Sequence, residues 1–211
     1  MTKTNESSTR IPISPEFFCD GHFYVLTSTS LGGSSFTPSD ISNILGESNE
    51  GGIEQLLQQG VCIPLYFDPD CELDGCTLFV LGDLTEEEEN QWVGKLSWKL
   101  NIPCGKLVLL CGGVDEGELA HAISGDPPEE HYEIFQVIEV PPDEYLVEIY
   151  AYQESYIARD YLDAWDDDMW EREDDAIAYI IRLTPLTTEP PLPQLVPDMG
   201  WCGIFEFRES K

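Results

Sequence analysis

The stretch that most constrains the fold is His131 to Gln153, HYEIFQVIEVPPDEYLVEIYAYQ, in which two β-branched and aromatic runs flank Pro141-Pro142-Asp143-Glu144. Side chains alternate along a strand, so setting Val140 opposite Tyr145 puts Ile138 with Val147, Gln136 with Ile149 and Ile134 with Ala151 on one face. That face is mostly apolar and is expected to meet a core. The other face pairs Glu139 with Leu146, Val137 with Glu148, Phe135 with Tyr150 and Glu133 with Tyr152, which predicts a half-wet surface. Pro142 presets φ and Asp143 can bond its own backbone, so the link reads as a tight turn and the whole as a central hairpin.

Around this stretch the punctuation is regular. Residues 1–16 are polar and broken by Pro12 and Pro15, which predicts a flexible arm, and residues 17–211 are expected to form a single globular domain, with a split near 113–130 as the alternative. Phe17 to Thr29 reads as a first strand. Thr37-Pro38-Ser39-Asp40 has the cap, first-turn proline and reaching acid of a helix start, and Gly46 and Gly60 close two short helices. Val61 to Phe67 and Cys76 to Leu81 predict a second hairpin around an acidic loop. Thr85 with Glu88 makes a capping box, and Trp92, Val93, Leu96 and Leu100 extend the expected helix to about 86–100. Lys106 to Cys111, Ala176 to Leu183 and Trp201 to Phe207 read as further strands. Gly117 to Ser124 and Ile157 to Trp170 read as helical pieces, and Thr184 to Pro197 as an extended linker. The expected fold is mainly β, grading to α+β: a β-sandwich-like domain of about eight strands with one sizeable helix.

Charge limits the partners. Forty-one acidic residues face ten basic ones, for a net charge of -31, and no Lys or Arg lies between Ile11 and Gly94. Nucleic acid and anionic bilayers would be repelled, whereas a basic protein partner or bound cations would complement the surface. The 42% hydrophobic content separates the chain from disordered acidic proteins. Seven cysteines form no CxxC pair, and no apolar run reaches membrane-spanning length, which predicts buried free thiols and a cytoplasmic setting.

Two acidic clusters are candidate sites. Asp68, Asp70, Glu72 and Asp74 alternate as ligands of Ca²⁺ do, but Leu73 stands where a calcium loop needs Gly and Phe79 where it needs Glu. The readings are a solvated turn or a Ca²⁺ site, and no other cofactor is suggested. In the second cluster Asp163, Asp166, Asp167 and Asp168 interleave with Tyr161, Trp165 and Trp170, as carboxylates and large rings do at protein-binding surfaces. Its alternatives are a bound cation or a solvated face. His22, His121 and His131 belong to no metal or nucleophile motif, and Gly112-Gly113 is too short to cradle a phosphate. A non-catalytic protein is therefore expected.

From Val137 to Leu183 the strand, the turn VPPDEYLVEIYAY, the acidic insertion and then AIAYIIRL resemble the C-terminal part of small bacterial competence-associated nuclease inhibitors. The resemblance implies a β-rich inhibitor that occupies a nuclease's basic cleft, and it assigns no individual binding residue. The leading expectation is an acidic, non-catalytic binder of a basic protein surface, with a nuclease inhibitor or antidote as its specific form. The alternative is a carboxylate-based metal-binding protein or hydrolase.

Overall fold

A computed structural model describes residues 8–19, 21–47, 49–67, 72–73, 75–112, 115–164, 176–191 and 206–208. In chain order the elements are β1 (Thr9–Pro12), β2 (Phe23–Ser28), α1 (Pro38–Gly46), α2 (Glu50–Gln58), β3 (Cys62–Tyr66), β4 (Thr77–Leu81), α3 (Glu86–Gln91), β5 (Gly94–Ile102), β6 (Lys106–Cys111), α4 (Glu116–Ser124), β7 (Phe135–Glu139), β8 (Asp143–Ala151), α5 (Tyr156–Tyr161), β9 (Tyr179–Pro185) and β10 (Glu206–Phe207). They build a mainly β fold of two sheets, ordered β1-β4-β9-β8-β5-β10 and β3-β2-β6-β7.

The core lies between these sheets. Phe79, Leu96, Trp98, Val147, Ile149 and Ile181 of the larger sheet join Tyr24, Leu26, Leu107 and Leu109 of the smaller in one buried cluster. Every residue of β2 is buried, so the small sheet is covered on both faces at this strand, while Val137 and Glu139 of β7 stay exposed. Helix α4 packs on β6 and β7, α2 on β3, and α1 on α4. Each fully buried aliphatic side chain contributes roughly 1.5–3 kcal/mol, which makes β2, β6, β8 and β9 the backbone of stability.

Two expected hairpins are corrected. β7 pairs with β6, with Ile138 opposite Leu107, while β8 lies between β5 and β9, with Val147 opposite Trp98 and Leu183. The turn at Pro141-Pro142 therefore carries the chain from one sheet to the other. Two consecutive prolines withhold two ladder donors, and the N–H of Val140 donates to the carbonyl of Gly105 instead. The core-facing assignment of Ile138, Val147 and Ile149 survives, but the expected half-wet face does not hold as a whole: Phe135, Glu148, Tyr150 and Tyr152 are buried as well, Phe135 against His121 of α4 and the two tyrosines in a second apolar cluster. Likewise β3 pairs with β2, and β4 pairs antiparallel with β1 and parallel with β9.

The expected helix over 86–100 is also corrected. Its capping box is present, but α3 ends at Gln91 and Trp92 turns extended at φ -63, ψ 144. From Gly94 the chain alternates buried and half-buried residues to Ile102 as β5. A spacing of four, as in Trp92, Leu96 and Leu100, fits a strand as well as a helix; Trp98 and Ile102 distinguish the two. The lead-in is likewise not wholly a loose arm. Thr9–Pro12 pairs with β4, and Ile13 is 3% exposed.

Candidate functional site

Alternation in β5, β8 and β9 sends one set of side chains to the core and the other to the outer face of the larger sheet. Glu148 sits at the centre of that face, directly across from Arg182 and Ser97. The Arg182 guanidinium donates to Glu148 at 3.1 Å, to Asp83 at 2.9 Å and to the Gly82 carbonyl at 2.8 Å. Lys95 Nζ lies 3.6 Å from the other Glu148 oxygen. Burial alone would lower the Arg182 pKa, but Tyr150, Glu148 and Asp83 outweigh it and hold it above its ordinary value. Burial first, and then the Glu148 charge, push the Tyr150 phenol well up. These groups are already occupied with one another, so this centre is structural rather than a poised acid–base pair.

Beside it a small apolar cluster of Val80, Tyr150, Tyr152 and Ile180 is overlaid by Leu78, Leu84 and Trp92. Helix α3 is anchored over this cluster at both ends. Arg10 of β1 makes two 2.6 Å contacts with the Glu88 carboxylate, which itself closes the capping box on Thr85. The Arg10 contact holds the Glu88 carboxyl below the usual carboxylate range. At the other end Arg208 donates to the carbonyls of Glu89 and Asn90, each at 2.7 Å, and its guanidinium lies 3.9 Å over the Trp92 ring. A cation there satisfies the carbonyl end of the helix.

Between α3, the end of β8 and the start of β9 opens a groove of about 730 Å³. Val93, Tyr152, Ile177 and Ile180 supply its apolar surface, and Glu87, Glu88 and Glu154 its acidic surface. Among the described residues neither Lys nor Arg lines it. Ile177 is 37% exposed, an aliphatic surface among carboxylates. Sequence reasoning missed this region, because the helix expected to run through residue 100 hid both the turn at Trp92 and the strand after it. The strict alternation of GKLSWKLNI was the signal that could have revealed it.

The residues singled out from sequence are only partly brought together. Asp68, Asp70 and Asp74 lie outside the described residues. Glu72 does not face solvent, as a residue of a solvated turn would. It is 2% exposed, and its Oε1 accepts from the Tyr156 amide and the Tyr179 hydroxyl, each at 2.6 Å. It thereby ties residues 72–73 to the first turn of α5 and to β9. Leu73 is tied in the same way, its amide donating to the Tyr24 hydroxyl at 3.3 Å. In the second cluster Tyr161 ends α5, is 43% exposed and stacks on Phe207 with centroids 3.9 Å apart and planes 5° from parallel. Asp163 follows with a left-handed φ of 51°. Trp165, Asp166, Asp167, Asp168 and Trp170 lie outside the described residues, as does most of the helix expected over 157–170 beyond Tyr161.

Each histidine has its own setting. His22 packs edge-on to Tyr66, His121 packs edge-on to Phe135, and His131 is exposed beside Glu130. Cys62 is a buried free thiol and Cys104 an exposed one. Among the described residues no group of three His, Cys, Asp or Glu side chains is placed to hold a metal ion, and no helix is long and apolar enough to cross a membrane.

No protein-family model and no curated protein matches the chain. Two solved structures are similar to it. One is described as crocagin biosynthetic gene J, at 15% identity and a TM-score of 0.45, covering 84% of this chain and 96% of that one. The other is ComJ from Bacillus subtilis, an inhibitor of the DNA degrading activity of NucA, at 11% identity and a TM-score of 0.35, covering 85% of this chain and 95% of that one. ComJ is a nuclease inhibitor of the kind that residues 137–183 resemble, and the likeness is weak.

Proposed function

We propose that this chain is an acidic, non-catalytic protein that binds a basic protein surface, with a nuclease's cationic cleft as the partner class, in a reducing cytoplasmic setting. The observation that carries the reading is the disposition of charge. Arg10, Lys95, Lys99, Arg159 and Arg182 are each paired with the chain's own carboxylates, and Arg208 with backbone carbonyls. Ten basic residues cannot neutralise 41 acidic ones, so a net charge of -31 stays on a chain with a well-formed core. A field of that sign speeds encounter with a cationic partner and repels nucleic acid. Glu86, Glu87 and Glu89 on α3 and Asp160 and Asp163 around the end of α5 are exposed. We place the docking region at Tyr161, Asp163 and the acidic, Trp-containing residues through Asp175.

The test begins with capture of a partner from the native host at low and moderate salt. The purified partner is then measured for association and dissociation rates, and for nuclease activity with and without this chain. Rim carboxylates govern association and a central ring governs dissociation. The double change Asp167→Asn, Asp168→Asn is therefore expected to slow association and weaken its salt dependence, and Trp165→Ala to speed dissociation at an unchanged melting temperature. An association rate indifferent to salt, or a partner without net positive charge, would overturn the reading.

A further inference from the structure

The groove between α3 and the β8–β9 end differs from the rest of the acidic surface, because it offers apolar floor and carboxylate rim together. We infer that it receives a segment of the basic partner in which arginine or lysine alternates with a bulky apolar residue. The inference rests on the reading above and adds a second seat for the same partner, outside residues 161–175, together with the chemistry of the side chains that fill it.

Three observations carry it. The floor is formed in part by Val93 and Ile177, and the 37% exposure of Ile177 leaves an aliphatic surface that an apolar side chain would cover. At the rim Glu88 is held by Arg10 and Glu154 by Arg159, which leaves the exposed Glu87 carboxylate to take an incoming cation. Glu87 meets the neutral amide of Gln91 at 3.1 Å, which an incoming cation can displace or share. Volume also suits the inference, since about 730 Å³ is room for a few side chains rather than a whole element. A purely cationic segment would leave the floor wet, and a purely apolar one would leave Glu87 with only the neutral amide of Gln91. An alternating segment satisfies both, its cationic heads reaching the carboxylates while stems and apolar neighbours cover the floor. A second copy of this chain is disfavoured as occupant, because it would bring another net charge of -31 to the same rim.

The test uses the full chain, isotope-labelled for amide NMR, with two probe peptides of equal positive charge. One alternates arginine with leucine, and the other alternates arginine with glycine. The arginine–leucine probe is expected to move the amides of Glu87, Gln91, Gln153 and Ile177 first and saturably, and to bind about tenfold more tightly than its glycine counterpart. Ile177→Ser should abolish that advantage, and Glu87→Gln should weaken the arginine–leucine probe. Both positions are exposed, so unchanged thermal melts are expected to accompany the loss. Equal affinity for the two probes, with shifts scattered over the acidic surface, would overturn the groove while leaving the acidic-binder reading standing. Failure of both probes at low salt would overturn both. Concentration-dependent shifts of the same amides without peptide would identify a second copy as occupant and overturn the inference.

Discussion

Replacing Glu72 asks whether an acidic-loop residue is a ligand or a strut. Its Oε1 takes two donors at 2.6 Å, the hydroxyl of Tyr179, a residue with no exposed surface, and the amide of Tyr156 at the start of α5. Glu72→Ala removes this acceptor from both. Losing a buried hydrogen bond to an ionised acceptor costs about 1–3 kcal/mol. Tyr179 belongs near the upper end of that range and Tyr156, which is half-buried, near the lower. The sum is about 3–4 kcal/mol, or roughly a 10 °C fall in melting temperature for a chain of this size. Glu72→Gln keeps one acceptor oxygen and loses only the charge assistance, about 1–2 kcal/mol. Urea titration with and without calcium is the assay, and amide hydrogen exchange at Tyr156 should quicken in step with the stability loss. If Glu72 is a strut, the two variants lose the same stability in calcium and in chelator. Glu72→Ala within about 0.5 kcal/mol of the parent would refute the accounting. A calcium-dependent stabilisation present in the parent and absent from the variants would restore the carboxylate as a ligand.

Three further outcomes are expected. Val147→Asp places an unpaired charge at a residue 1% exposed between Trp98 and Leu183, and should cost at least about 4–5 kcal/mol, so that no cooperative thermal melt survives; a normal melt would show the burial to be wrong. The Glu88 carboxyl titrates below its ordinary 4.5 in the folded chain, chiefly through its bond to Arg10, so its contribution is present above that value and lost as pH falls through the folded value. Melting temperature should therefore fall more steeply below pH 4.5 in the parent than in Arg10→Ala, and parallel curves would remove the linkage. Burial raises the Cys104 thiol, but hydrogen bonds with Ser30, Thr29 and the backbone outweigh it and bring its pKa to about 7, whereas burial pushes Cys62 up to about 12. Iodoacetamide at neutral pH should label Cys104 well before Cys62, and the reverse order, read by peptide mass, would contradict the exposure of the two thiols.

Features that depend on a few neighbouring residues were legible before any fold was known. Thr37 with Asp40 and Thr85 with Glu88 close their capping boxes as read, since a cap is decided within one turn of chain. The faces of β7 and β8 also follow from alternation alone: Ile138, Val147 and Ile149 point inward whichever strand lies alongside. Net charge needs no fold. Pairing is different, because a strand's neighbour is selected by competition among all the strands for the same donors and the same core. The Pro141-Pro142 link, read locally as a hairpin turn, instead carries the chain between sheets, and β8 is satisfied by β5 and β9 from opposite directions in the sequence. Tertiary packing alone likewise joined Arg10 to Glu88, turned Glu72 inward onto Tyr179, and assembled a groove from residues 85–93, 152–154 and 177–180. Those contacts span tens of residues, and no local pattern encodes them. They arise because charges and hydroxyls left beside a closing core must find acceptors there or remain unpaired.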